Sequence, residues 1–219
     1  MSRISRWRQK IEKRWLAVAD TVCTGLAVLR VPPNAVSAAG LIGSVIAGGL
    51  YGSGRFFLGG IGVLLAGACD TIDGRLARRT GRASDFGAFF DSTLDRFGEI
   101  AIFSGLAFYF AAGDPGDGAG GRPAMVLLSV LALSGSLMVS YTRARAEGLS
   151  LKCDIGMMQR PERMFVLIVG SFATLLPVIG AVIMQLAIGA LAVFGCYCAL
   201  QRMYHVYRQL SRGKGPGGQ

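Results

Sequence analysis

Asp70-Thr71-Ile72-Asp73-Gly74-Arg75-Leu76-Ala77-Arg78, followed by Gly87, Asp91 and Asp95, puts four aspartates within 26 residues of an otherwise strongly apolar stretch of chain. Carboxylates at membrane depth are costly. They persist where they face a polar cavity, pair with cations or do chemistry. Asp70 and Asp73 stand three apart, and Asp91 and Asp95 four apart. On helices each pair projects from one face, about one turn apart. If two such helices pack antiparallel, both pairs converge on one point. Four convergent aspartates make a hard oxygen site for Mg²⁺ or Mn²⁺.

Outward from this stretch the chain reads as an all-α integral membrane protein. Its 219 residues are 52% hydrophobic, with a mean hydropathy of +0.48, too apolar for an ordinary soluble domain. About six transmembrane helices are expected. They run from Val36 to Gly52, Phe57 to Ala77, Phe86 to Ala112, Ala124 to Ala146, Met164 to Val178 and Ala181 to Tyr204. No cleavable signal peptide is expected, because the first apolar run lacks the short core and small-residue cleavage site. The net charge of +10 would suggest nucleic acid in a soluble protein, but a membrane supplies a simpler cause. Only Arg55 and Arg122 fall in loops on the first-exit side, and Arg96 lies inside a span. The remaining bases gather on the other side, which the positive-inside rule makes cytoplasmic, with both termini there. The base-free, glycine-rich loop from Gly113 to Gly121 reads as an external turn. The expected location is a prokaryotic cytoplasmic membrane, with no nucleic-acid partner.

Three units are expected: residues 1–30, 31–210 and 211–219. In the first, Ile4, Trp7, Ile11 and Trp15 recur at helical spacing among Arg3, Arg6, Arg8, Lys10, Lys13 and Arg14. A basic helix with tryptophans favours the headgroup zone, so an amphipathic interfacial helix is expected. The middle unit holds the spans, and the glycine-rich tail is expected to be disordered. Glycines concentrate in the first two spans, which favours close helix packing and is compatible with a homodimer. The five cysteines, Cys23, Cys69, Cys153, Cys196 and Cys198, read as small core residues rather than a disulfide framework.

The full spacing is D-x2-D-G-x2-A-R-x8-G-x3-D-x3-D. A ladder of salt bridges through Arg75, Arg78, Arg79 and Arg96 would not require Gly74, Gly87 and Ala77 at their places. The pattern resembles the signature of the CDP-alcohol phosphotransferase family, membrane enzymes of phospholipid synthesis. Two ions bridged by shared carboxylates stabilise both the attacking and leaving oxygens of an in-line phosphoryl displacement. The resemblance implies that Asp70, Asp73 and Asp91 bind metal, and that Asp95 deprotonates an acceptor hydroxyl while also touching a metal. It further implies attack of an alcohol on the lipid-side phosphate of CDP-diacylglycerol, releasing CMP. Gly74 lets a nucleotide approach the backbone, and Arg78 offers a planar fork to a phosphate. Ala77 and Gly87 belong to the same nucleotide half. Asn34 and Ser37, in Val31-Pro-Pro-Asn-Ala-Val-Ser37, either cap a helix or lie near the nucleotide as the family's Pro-Asn-x-x-Thr segment does.

Further bases end or open the later spans: Arg143 and Arg145, Arg160 and Arg163, and Arg202. Gathered at the aspartates' depth, they would make a polar cavity; the positive-inside rule also accounts for some of them. Here the chain resembles the branch of prokaryotic phosphatidylinositol phosphate synthases and their archaeal ether-lipid relatives. That resemblance implies an acceptor-phosphate pocket at Arg143, Arg163 and Arg202, with inositol 1-phosphate as acceptor. Glycerol 3-phosphate, as in a phosphatidylglycerophosphate synthase, is the alternative acceptor. A divalent-ion transporter is the alternative of another class, but no helix break at the bilayer midplane is evident.

Overall fold

The structure is a computed structural model describing residues 19–113, 121–156 and 158–213. Its elements are α1 (Ala19–Val28), α2 (Pro33–Gly52), α3 (Phe56–Arg79), α4 (Asp85–Ala112), α5 (Pro123–Glu147), α6 (Arg160–Ala173) and α7 (Ile179–Gly213). No strand occurs among the described residues. Helix starts follow local chemistry. Proline stands in the first turn of α2, α5 and α6, where its missing N–H is no loss. Ser84 caps α4, its Oγ accepting from Gly87 N at 3.0 Å. Asp85 in the first turn complements the helix dipole. α3 ends at Thr80, and Gly81, with φ of 65°, turns the chain toward α4.

The helices close into a ring. α2 packs against α3 and α4, α4 against α5, α5 against α7, α7 against α6, and α6 back against α3. Successive helices run in opposite senses, so one end of the ring collects the start of α2, the end of α3, the starts of α4 and α6, and the ends of α5 and α7. The two aspartate helices converge without packing closely on one another, since both pack chiefly on α2, which lies between them. Gly48 and Gly105 make the α2–α4 crossing possible. A Cβ on Gly48 would lie 2.8 Å from the Ala101 carbonyl carbon, and one on Gly105 would lie 2.9 Å from Gly48 Cα.

The two halves of the ring differ in chemistry. Away from the aspartates the centre is apolar, built from Tyr51, Val63, Phe103, Leu106, Leu167, Met184, Ile188 and Leu191. Tyr51 Oη and Ser171 Oγ, 2.7 Å apart, satisfy each other inside that core. Toward the aspartates the buried groups turn polar: Ser37, Asp73, Glu99, Ser136, Arg163 and Arg202. The outer surface is apolar. Phe165 and Leu186 are each 66% exposed, as suits helices facing lipid rather than water.

Among the described residues, a helix lies in each of the six segments expected to span. Four of them, α2, α3, α5 and α7, are long and apolar enough to cross a membrane. α4 is 28 residues long but carries Asp91, Asp95, Arg96 and Glu99, and α6 has only 14 residues. The fifth span was expected to reach Val178; Ala173 ends α6, and the chain turns before Pro177. The expected interfacial helix falls mostly on residues 1–18, outside the described residues. Its described part is α1, whose end leaves Val28 77% exposed. Of the expected external turn, residues 114–120 also lie outside. α7 continues through Gly213, past the expected start of the tail, and residues 214–219 lie outside.

Candidate active site

Asp70 and Asp73 sit near the end of α3, and Asp91 and Asp95 in the first half of α4. Helical spacing aims each pair inward at the polar end of the ring. One carboxylate oxygen from each of Asp70, Asp91 and Asp95 lies within 4.8 Å of the others. Asp73 stands beside this group, 4% exposed, with its Oδ2 accepting from Ser37 Oγ of α2 at 2.6 Å. Asp73 also meets Asp91 side chain to side chain, so all four aspartates line one pocket with Arg160 while Asp73 is tied to the intervening helix as well. Clustered carboxylate oxygens fit a divalent cation with hard oxygen preference.

The cations facing this cluster come from α6. Arg160 Nη1 lies 2.9 Å from Asp70 Oδ2, and its Nη2 lies 2.8 Å from Asp95 Oδ1. A ladder through Arg75, Arg78, Arg79 and Arg96 does not form. Arg75 pairs instead with Asp20 of α1 at 2.5 Å, and Arg96 reaches Asp95 only at 3.8 Å.

All six residues expected in the nucleotide half line one cavity. Asn34, Ser37, Gly74, Ala77, Arg78 and Gly87 surround about 250 Å³ of space, with Asp73 and Asp91 in its wall. The cavity adjoins the carboxylates, so a pyrophosphate placed in it would meet both them and Arg78. Gly74 has no Cβ beneath this space; one added there would lie 3.5 Å from Arg78 Nη1.

Of the five arginines expected at an acceptor phosphate, Arg160 takes the aspartates and the other four divide into two sets. Arg163 is 1% exposed, donating through Nη2 to Glu99 Oε1 and through Nη1 to Met158 O, both at 2.8 Å. Arg202 is also buried, with Nε on Ile155 O at 2.9 Å and Nη1 on Val139 O at 2.7 Å. Together they hold the connection between α5 and α6. That connection passes Gly156, whose φ of 109° and contact with Cys198 leave no room for a side chain. Arg143 is half-exposed and pairs with Glu147 at 2.9 Å and Asp154 at 3.4 Å. Arg145 is exposed on α5.

Glu99 is a residue the sequence reading missed. It is 2% exposed and takes hydrogen bonds from Arg163 and, at 2.5 Å, from Ser136 Oγ of α5. The signal was available, because Asp91, Asp95 and Glu99 follow one another at intervals of four and so share one face of α4.

A model of the CDP-alcohol phosphatidyltransferase family matches residues 30–196. The chain is similar to the archaetidylinositol phosphate synthase of Methanothermobacter thermautotrophicus, 34% identical over 209 residues that cover 95% of this chain and 96% of that protein. It is also similar to the phosphatidylinositol phosphate synthase of Cutibacterium acnes, 35% identical over 201 residues, covering 89% and 94%. Among solved structures, the Mycobacterium tuberculosis phosphatidylinositol phosphate synthase with CDP-DAG bound matches with a TM-score of 0.77 and 28% identity, covering 92% of this chain and 96% of that one. The same enzyme in complex with manganese and citrate also matches with a TM-score of 0.77, covering 91% and 90%. The chain therefore belongs to the CDP-alcohol phosphatidyltransferase family and is a membrane transferase.

Proposed function

We propose that this protein transfers a phosphatidyl group from CDP-diacylglycerol, or an ether-linked equivalent, to inositol 1-phosphate with release of CMP. The observation that carries the reading is the meeting of the Asp70–Asp91–Asp95 group with the cavity walled by Asn34, Ser37, Gly74, Ala77, Arg78 and Gly87. The names of the similar proteins and the CDP-DAG and manganese in the matched structures support it.

In this reading Asp70, Asp73, Asp91 and Asp95 hold two divalent ions, Mg²⁺ or Mn²⁺. Bound there, the ions offset the charge of the pyrophosphate. Arg78 takes a phosphate oxygen, and Gly74 and Ala77 let the nucleotide lie against α3. Asp95 accepts the proton of the acceptor hydroxyl. The hydroxyl oxygen then bonds to the lipid-side phosphorus as the bond from that phosphorus to CMP breaks. Arg143, Arg145, Arg160, Arg163 and Arg202 form the basic side of the acceptor pocket. The buried pair, Arg163 and Arg202, also fixes its framework. All six helices α2–α7 span a cytoplasmic membrane, the site opens to the cytoplasm, and two copies associate as a homodimer.

The test is CMP release by purified protein given CDP-diacylglycerol and Mg²⁺, with inositol 1-phosphate, glycerol 3-phosphate, serine and inositol offered in parallel. Inositol 1-phosphate is expected to give the fastest release. Faster release with glycerol 3-phosphate would assign the alternative acceptor, and acceptor-independent behaviour would refute the transfer.

A further inference from the structure

Asp70 Oδ2 and Asp95 Oδ1 belong to the carboxylates that would ligate an ion, and both already receive the Arg160 guanidinium. A guanidinium and a divalent cation cannot both hold these carboxylates at full strength, because two cations on the same small group of oxygens repel one another. Arg160 also opens α6, where the helix dipole disfavours a cation. Its position is thus explained by the carboxylates and not by the helix that carries it.

A second berth lies beside it. Arg160 Nε is buried without a hydrogen-bond partner, 3.9 Å from Glu99 Oε1. Glu99 stands one turn beyond Asp95 on the same face, and an ionised carboxylate accepts more bonds than the two that Ser136 and Arg163 supply. A pocket of about 110 Å³ bounded by Asp70, Thr71, Glu99, Arg160 and Pro161 gives the side chain room to shift.

We propose that Arg160 is an exchangeable cation of the carboxylate site: it clamps Asp70 to Asp95 when no divalent ion holds them, and transfers to Glu99 when one does. The clamp keeps α3, α4 and α6 assembled around mutually repelling carboxylates. It also makes ion binding a trade of one cation for another, so it lowers the apparent affinity for the ion. This rests on the metal-binding reading of the aspartates.

The experiment is Mn²⁺ binding to the full-length protein in micelles, followed by electron paramagnetic resonance. It compares wild type, Arg160→Gln, Arg160→Lys and Asp91→Asn, with thermal unfolding measured with and without Mn²⁺. Removing a competitor that makes two charge-assisted contacts is expected to tighten Mn²⁺ binding about ten- to a hundredfold in Arg160→Gln. Arg160→Lys keeps the charge but loses the fork, and is expected to fall between wild type and Arg160→Gln. Arg160→Gln is expected to melt lower than wild type without Mn²⁺ and to gain more from it. Equal or weaker Mn²⁺ binding in Arg160→Gln would overturn the proposal. So would an Arg160→Lys affinity equal to wild type, which would reduce the effect to charge alone. Asp91, which makes no ion pair with Arg160, separates the two readings. Loss of binding in Asp91→Asn with equal affinities elsewhere overturns the clamp but keeps the metal site. Binding independent of Asp91 overturns both.

Discussion

Replacing Arg163 by Met tests whether the polar end of the ring is held by a buried charge network. The Arg163 and Glu99 side chains are each 2% exposed and 2.8 Å apart. Taking away one member of such a pair leaves the other charge buried, at a cost of about 3–5 kcal/mol. Glu99 keeps Ser136, and Arg160 Nε stands only 3.9 Å away, so the lower end of that range applies. A loss of about 3 kcal/mol is about a hundredfold in the folded-to-unfolded ratio. The Glu99→Gln/Arg163→Met double variant removes both charges and keeps an acceptor for Ser136, so it should recover most of the loss, with a coupling of at least about 2 kcal/mol. The assay is denaturant unfolding in micelles followed by circular dichroism, on wild type, both single variants and the double. A cost below about 1 kcal/mol for Arg163→Met, or strict additivity in the double variant, would refute the reasoning.

Arg78→Ala is expected to raise the KM for CDP-diacylglycerol about tenfold while moving the KM for inositol 1-phosphate little, since Arg78 lines the nucleotide cavity; initial-rate kinetics in both substrates decides it. Gly48→Val should destabilise by at least about 1–3 kcal/mol, because its side chain would press on the Ala101 backbone. Gly189→Ala, inside α7 where a Cβ meets nothing within 4 Å, should stabilise by about 0.4–1 kcal/mol in thermal unfolding. In a background without native cysteines, an impermeant thiol reagent added to intact cells should label a cysteine at Ser53 and spare one at Ser150; the reverse pattern would put the aspartates on the wrong face.

The aspartate site was legible in the sequence because its information is local. Spacings of three and four fix which side chains share a helix face. The residues expected in the nucleotide half line one cavity, where Asn34 and Ser37 meet the α3 and α4 residues. Partnership across the ring was not legible. Nothing in the spacing shows that α2 separates α3 from α4, or that Ser37 of α2 donates to Asp73 beside the other aspartates. Nor does it reveal that Arg160 takes the aspartates while Arg163, less than one turn away, turns to Glu99 and the Met158 carbonyl. Those choices are made by packing, and Glu99 went unnoticed because a single buried carboxylate gains meaning only from the partners that two other helices bring to it.

The account's central claim is that the carboxylate cluster directs an alcohol at the lipid-side phosphorus of a CDP-lipid. CDP-diacylglycerol labelled at that phosphorus, incubated with inositol 1-phosphate and Mg²⁺, tests it directly. All of the label is expected in the lipid product and none in the released CMP, with turnover lost in Asp91→Asn and on chelation of divalent ions. Label leaving with the cytidine product, or turnover that survives both treatments, would contradict the account.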